Sequence, residues 1–378
     1  MFSKAEKERY KRQFSLDNFG EFSQLKLKQA KVLVVGAGAL GCPVLNYLAA
    51  AGVGTIGIVD NDTVDLSNLH RQVLYSTAEI GQPKVLAAQK RLLEINPEIT
   101  VNVHKTILAP ENALELIGSY DIIVDGTDNF PTRYLINDAC VLLGKANIHG
   151  SVVRYEGTVS VFNYKDESGN FGPNYRDLFP VPPLPEDAPS CAEAGVIGII
   201  PSIIGSMQAM EVIKIITGLG EVASGRFIHW NTLTNSQRSL RFQKDPENPL
   251  NNARENFIFE TDYPTFCHQT ATIMKSITVE ELKTLMDSGS DFQLIDVREP
   301  YENDICTLNG TLIPMGEVPN NVEQFDREKQ VIVHCRSGKR SGNVIDFLEQ
   351  NYGFTNLYNL EGGILAWSAQ IDPTMESY

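Results

Sequence analysis

The stretch KVLVVGAGALGCPVLNYLAAAGVGTIGIVDND, residues 31–62, constrains the fold more than any other part of the chain. Val32 to Val35 form an apolar run without alternation, the pattern of a strand buried on both faces, and such strands belong to parallel sheets. Gly36, Gly38 and Gly41 follow, then a helix of small residues, then a second apolar run that ends at Asp60. Strand, glycine turn, helix and strand make a βαβ unit. Further along, PKVLAAQKRLLEINP is a helix bracketed by prolines, ITVNVHKT alternates as a strand, and YDIIVDGTDN is a buried strand running into polar residues. The alternation predicts an α/β, doubly wound, mostly parallel sheet with ligands at the carboxyl ends of its strands. GTVSVFNY then predicts an antiparallel extension.

At 378 residues the chain exceeds the size at which one hydrophobic core usually stops growing, so two domains are expected. ESGNFGPNYRDLFPVPPLPEDAPS, residues 167–190, is too long for a simple connection and is expected to be functional or mobile. Residues 246–270 carry prolines and asparagines without periodicity and are predicted to be a linker. Thr278 and Glu281 then form a capping box, and FQLIDVRE, VIVHC and NLYNLEGG read as short buried strands between helices. The predicted division is residues 1–245, a linker over 246–270, and a small α/β domain over 271–378.

A formal charge of −15 disfavours binding to nucleic acid or an anionic membrane, because counterion release would work against it. The longest apolar stretch, from Gly195 to Ile216, contains Pro201, Ser206, Gln208, Glu211 and Lys214 and reads as a buried loop and helix, not a membrane span. The N-terminus has no apolar segment of the secretory kind, and six scattered cysteines without a CxxC pair suit reduced thiols in a cytoplasm.

Directly after a strand and before a helix, GAGALG offers backbone N–H groups and a helix N-terminus to phosphate. Asp60 can accept ribose hydroxyls, and at this point a nicotinamide dehydrogenase is the open alternative. Asn68, Arg71, Gln72 and Lys84 follow, more donors than a dinucleotide pyrophosphate needs; Arg71 as a planar fork and Lys84 as a point charge could together hold a triphosphate. Asp125 and Asp128 end the next strand, where a carboxylate could hold Mg2+ against phosphate oxygens; Asp125 is read as structural.

RYKRQ, GAGALGCPVLNYLAAAGVG, VDLSNLHRQ, GQPK, GTDNFPTRYLIND and PSCAEAGVIGIIPSIIGSMQAMEVIKIITG occur in this order over residues 9 to about 218. In this the chain resembles the MoeB/ThiF family, bacterial relatives of ubiquitin-activating enzymes. The resemblance implies a Rossmann-like fold and activation by ATP of the C-terminal Gly-Gly carboxylate of a small ubiquitin-fold sulfur carrier of the MoaD/ThiS type, with release of pyrophosphate. By the same resemblance Asp60 holds the ribose, Asn68, Arg71 and Lys84 hold the phosphates, and Asp128 holds Mg2+; Gly36, Gly38, Gly41, Gln72 and Asn129 complete the nucleotide site. Arg12 matches an arginine that reaches a neighbouring subunit's site, which implies a homodimer. Cys191 matches a cysteine that several members bond covalently to the carrier. Many members hold a structural zinc on two CxxC pairs; this chain has Asn174, Asp177, Asn248 and Asn251 at those positions, and no zinc is expected.

HCRSGKRS, residues 334–341, offers a second thiol. A CX5R phosphate loop starting at Cys335 needs arginine at 341, but that residue is Ser341 and the arginine falls at 340, so the loop is too short to cradle phosphate. Its amides and the helix that follows would lower a thiol pKa and stabilise an anionic sulfur. With LIDVREPYEND and LEGGILAW, the loop resembles the active site of rhodanese sulfurtransferases. That resemblance implies a persulfide on Cys335, loaded from thiosulfate or another persulfide, in a loop made of Arg336, Ser337, Gly338, Lys339 and Arg340, with the two arginines lining the pocket. A carboxylate-activating domain joined to a persulfide domain suggests synthesis of a carrier thiocarboxylate. Two alternatives are an enzyme that holds an activated ubiquitin-like protein as a thioester at Cys191, and a carrier-binding scaffold without turnover. The pathway served, whether molybdopterin, thiamine, cysteine or tRNA thiolation, stays open.

Overall fold

The structure, a computed structural model, describes residues 2–183, 195–254, 256–267 and 275–376. It divides into two compact units, Met1–His268 and Gln269–Tyr378.

The first unit begins with short helices α1 (Lys4–Arg9), α2 (Lys11–Phe14) and α3 (Gly20–Gln29). It is built on one eight-stranded sheet in the order β3-β2-β1-β4-β5-β6-β7-β8. The strands are β1 (Lys31–Val35), β2 (Thr55–Val59), β3 (Thr100–His104), β4 (Ile122–Asp125), β5 (Ala146–Val153), β6 (Glu156–Phe162), β7 (Arg226–Asn231) and β8 (Ser236–Arg241). The first five run parallel and the last three antiparallel, so the predicted doubly wound sheet and its antiparallel extension are both present.

Strand β1 shows why its sequence has no polar alternation. Val32 and Val34 pack into one core cluster with Leu45 and Leu48, while Leu33 and Val35 pack into another with Ile136 and Tyr134. Helices α4 (Gly41–Ala51) and α5 (Lys84–Ile95) contribute to the first cluster, and α6 (Pro110–Gly118) and α7 (Phe130–Leu142) to the second. Register then fixes where a ligand can sit. Val59, Val35, Asp125 and His149 are paired in one row across four strands, so the residues after them emerge together at the carboxyl edge of the sheet.

A short helix, α8 (Tyr175–Leu178), precedes the long α9 (Ile199–Thr217). By length and hydropathy α9 could cross a membrane, but it packs against α4, β5 and β6 and buries Gln208 and Glu211, as the core helix expected of that stretch.

The segment expected to be a linker does not behave as one over most of its length. Residues Phe257–Glu260 (α10) and Tyr263–Cys267 (α11) are helical, and Ile258, Tyr263 and Cys267 are buried in the core of the first unit. The Tyr263 hydroxyl donates to Asp138 Oδ2 at 2.9 Å, and Arg176 donates to both oxygens of the same carboxylate at 2.7 and 2.8 Å. A buried carboxylate with a bidentate guanidinium and a phenol leaves no charge unpaired, and losing one partner of such a pair typically costs about 3–5 kcal/mol.

Three of the four positions at which the resemblance would place zinc-binding cysteines also meet. Asn248 Nδ2 donates to Asp177 Oδ1 at 2.6 Å and to Asn174 Oδ1 at 3.3 Å, while Asn251 Nδ2 donates to the carbonyls of Asp245 and Pro246. Asp177 Oδ1 also accepts from the Asp245 amide at 3.0 Å. Hydrogen bonds join the two segments there.

The second unit holds a five-stranded, all-parallel sheet in the order β11-β10-β12-β13-β9. Its strands are β9 (Ser276–Ile277), β10 (Phe292–Asp296), β11 (Thr311–Leu312), β12 (Gln330–His334) and β13 (Leu357–Leu360). Helices α12 (Val279–Ser288), α13 (Pro300–Ile305), α14 (Lys339–Tyr352) and α15 (Gly363–Gln370) accompany it. Thr278 and Glu281 make the predicted capping box. Like β1, strand β12 faces two clusters, Val331 and Val333 on one side and Ile332 on the other.

Candidate active sites

At the carboxyl edge of the first sheet lies a cavity of about 260 Å3. Its wall includes Gly36, Gly38, Asp60, Arg71, Gln72, Lys84, Asp128 and Asn129, eight of the residues singled out in the sequence. The turn after β1 is built by two glycines in contact. Gly36 has φ +94°, and a Cβ on Gly41 would stand 1.9 Å from the Gly36 carbonyl oxygen, so the first turn of α4 closes tightly on the end of the strand. Gly38 is different, since a Cβ there would meet only Gln72 Nε2, at 3.8 Å. Its lack of a side chain leaves room on the cavity side.

Asp60 directly follows β2 and is fixed by backbone: its Oδ2 accepts from the Ala37 amide and its Oδ1 from the Asp62 amide, each at 2.8 Å. The carboxylate thereby ties the glycine turn to the loop after β2. Lys84 is the first residue of α5, with its side chain only 6% exposed and its ammonium 2.9 Å from Asp62 Oδ2. The Arg71 guanidinium donates through Nη1 to the Ser67 carbonyl at 3.0 Å and lies 2.8 Å from His70 Nε2. Asp128 is exposed on the turn after β4. That turn is held from below: the buried Asp125 Oδ1 accepts from the Thr127 amide and hydroxyl, and Arg133 bridges Asp125 Oδ2 and the Thr127 carbonyl. Asn129 caps α7, its side chain accepting from the Thr132 amide at 3.0 Å.

Other candidates lie elsewhere. Gly41 stands behind the turn, and Asn68, on a short 3-10 turn, reaches only Ser67 with its side-chain amide, at 3.4 Å. Arg12 is exposed on α2 and is not part of this wall. Cys191 lies outside the described residues. The sequence reading passed over Asp62, Thr106, Ile107, Leu108, Val152 and Val196, which also line the cavity. Only the position of Thr106–Leu108, just after β3, signals a place on the same edge.

In the second unit, Cys335 follows β12 in the row where His334 pairs with Asp296. Its sulfur accepts from the Gly338 amide at 3.2 Å, and the buried Ser341 hydroxyl lies 3.4 Å from it and 2.7 Å from Asn359 Oδ1. Burial pushes the Cys335 thiol up, but the Ser341 hydroxyl and the amides of Ser341, Ser337 and Gly338 outweigh it, so the thiol lies below its ordinary value. Gly338 caps α14, whose first residues are Lys339 and Arg340. Arg336 and Ser337 are exposed at the mouth of the loop. The two terminal nitrogens of Arg340 each donate at 2.6 Å to the buried Glu302 of α13, a carboxylate pairing the sequence did not anticipate. Arg298 is likewise paired with Asp296 and fully buried. The loop therefore presents amides and a hydroxyl to the sulfur. Chemically the loop suits a thiolate, and the glycine turn, Arg71 and Lys84 give the cavity of the first unit donors that suit an anionic ligand.

Residues 10–251 match the ThiF family and residues 278–370 match the rhodanese-like domain. A relative named "Probable adenylyltransferase/sulfurtransferase MoeZ", from Mycobacterium tuberculosis, is 44% identical over 386 residues, covering 100% of this chain and 96% of its own. The sulfur carrier protein adenylyltransferase of Thermus thermophilus is 47% identical over 266 residues, 70% of this chain and 98% of its own. Among solved structures, E. coli MccB with ATP has a TM-score of 0.54 at 22% identity, covering 63% of this chain and 75% of that one, which agrees in fold. The chain belongs to the ThiF family and ends in a rhodanese-like domain.

Proposed function

We propose that the chain adenylylates the C-terminal Gly-Gly carboxylate of a small ubiquitin-fold sulfur carrier with ATP and converts the adenylate to a thiocarboxylate with sulfur held on Cys335. It is an adenylyltransferase and a sulfurtransferase. The observation that carries this reading is the pair of sites on one chain, a polyphosphate cavity at one sheet edge and an amide-lined thiolate at another.

In the first step a carrier carboxylate oxygen attacks the α-phosphorus of ATP and pyrophosphate leaves. Asp60 binds the ribose, and Arg71 and Lys84 neutralise the charge that grows on the departing phosphates. The exposed Asp128 carboxylate would hold Mg2+, which when bound would supply positive charge to the phosphates. In the second step the terminal sulfur of a Cys335 persulfide attacks the acyl carbon and AMP leaves, giving an acyl disulfide. A thiolate, Cys191 by this reading, takes the Cys335 sulfur and frees the thiocarboxylate; an external dithiol then reduces the Cys191–Cys335 disulfide, being oxidised in turn. Residues 195 and 196, which follow Cys191 closely, support this role: Gly195 accepts from the Arg154 amide, and Val196 lines the cavity.

The reading extends to a homodimer and to the absence of zinc. On α9, Ile199, Ile203, Met207 and Met210 form with Tyr47 an apolar groove, and exposed Arg12 supports service to a second copy's site. The hydrogen bonds among Asn174, Asp177 and Asn248 support a metal-free link, since amides are poor ligands in tetrahedral zinc sites. Elemental analysis of purified protein is expected to give well under one zinc per chain; stoichiometric zinc would overturn that part.

The test is a mass measurement. The protein is mixed with candidate carriers, ATP, Mg2+, a dithiol and thiosulfate, and one carrier is expected to gain a sulfur in place of an oxygen. An unmodified carrier held as a thioester would favour Cys191 as the end point, and no ATP-dependent change with any carrier would sink the proposal.

A further inference from the structure

We propose that Asp62 is an exchangeable counter-ion for Lys84: it holds the ammonium until phosphate displaces it and returns to it as pyrophosphate leaves. The inference rests on the reading of Lys84 as a phosphate ligand.

Lys84 opens α5, where the helix dipole favours negative charge and a cation is unfavourable. A buried ammonium there needs an anion, and the chain supplies one. Asp62 Oδ2 lies 2.9 Å from Lys84 Nζ, with the aspartate side chain 73% exposed against 6% for the lysine. Both residues line the cavity.

The backbone around the pair is fixed. The Asp62 carbonyl accepts from the Lys84 amide at 2.9 Å, the Asp62 amide donates to Asp60 Oδ1 at 2.8 Å, and Thr63 pairs with Pro83 in a bridge. Val64 and Gly81 continue the contact, the Gly81 amide donating to the Val64 carbonyl at 2.8 Å. Of the two side chains the carboxylate is the exposed one, on the solvent side of a buried lysine. Exchange thus costs one rotation of an exposed side chain. A polyphosphate carries more charge than a carboxylate and takes the ammonium.

Asp60 cannot play this part, because both its oxygens are held by backbone amides. Asp62 makes ATP and pyrophosphate compete with a charge already in place, and pyrophosphate, whose whole charge lies at this end of the site, feels the competition most. Its function is to loosen the product of the adenylation step.

Calorimetric titration of the full chain and of Asp62→Asn with pyrophosphate, ATP and AMP, each with Mg2+, tests this. Pyrophosphate and ATP are expected to bind the variant about three- to tenfold more tightly, the range for an ion pair with one buried partner, with AMP unchanged because it ends before Lys84. Asp62→Ala should act in the same direction, since the backbone bonds of residue 62 survive either change. Unchanged or weakened pyrophosphate binding in folded variants would overturn the inference, and weakening together with a lost Mg2+ dependence would make Asp62 a metal ligand instead. If the unaltered chain bound none of the three, the nucleotide site itself would fall, and the inference with it.

Discussion

Cys335→Ala is expected to abolish sulfur transfer from thiosulfate to the carrier, by at least about a thousandfold, while carrier-dependent ATP–pyrophosphate exchange stays at its original rate. The split follows from the two sites: Cys335 is not among the residues that line the nucleotide cavity, and its sulfur is the one held by the loop amides. Cys42, Cys140 and Cys267 are held in apolar surroundings, and burial pushes all three thiols up, those of Cys42 and Cys267 to about 12. Cys335 moves the other way, because the Ser341 hydroxyl and three loop amides stabilise its anion more than burial opposes it. The sign sets a pH dependence. With the thiol pKa below its ordinary value, persulfide formation from thiosulfate should fall as the pH drops through that lowered pKa, at a lower pH than for an ordinary thiol. In Ser341→Ala the fall should begin at a higher pH, by the loss of one hydrogen bond to sulfur. Mass spectrometry of Cys335 after thiosulfate treatment across pH reads both effects. A Cys335→Ala chain that still makes thiocarboxylate from thiosulfate would sink this assignment.

How much of this was legible in the sequence depends on the range of the interaction. Val32–Val35, the glycines at 36 and 41 and the Thr278 capping box are local, and local rules sufficed for them. The loop after Cys335 is local too, and counting to Ser341 was enough to set it apart from a CX5R phosphate loop. What was missed is long-range. The segment after residue 245 looks like a linker because it has no periodicity, yet Tyr263 is buried by a bond to Asp138, at 125 positions' separation, which no window reveals. Arg340 is a cation in a basic loop when read along the chain, and its commitment to Glu302, 38 positions earlier, appears only once α13 packs beside α14. Asp62 is one of several acids in DNDTVD, and its importance rests on Lys84, 22 positions on. Paired charges are the least visible in sequence because neither residue reveals its partner.

Lys84→Ala is expected to lower carrier-dependent ATP–pyrophosphate exchange by about a hundredfold to a thousandfold, the usual cost of removing one preorganised charge from a transition state that builds negative charge. Stability should change little. A lysine at the first position of a helix gains nothing from the dipole, and the ion pair it loses has an exposed partner. A thermal melt within a few degrees of the parent, beside lost exchange, separates chemistry from folding; undiminished exchange would remove Lys84 from the phosphate site. The same substitution bears on Asp62. If the aspartate acts only through the lysine, Asp62→Asn in the Lys84→Ala background has no ammonium to release and should no longer tighten pyrophosphate, so the two changes are strongly non-additive. Tightening that persisted without Lys84 would mean that Asp62 repels phosphate directly, and the counter-ion would not be an exchangeable one.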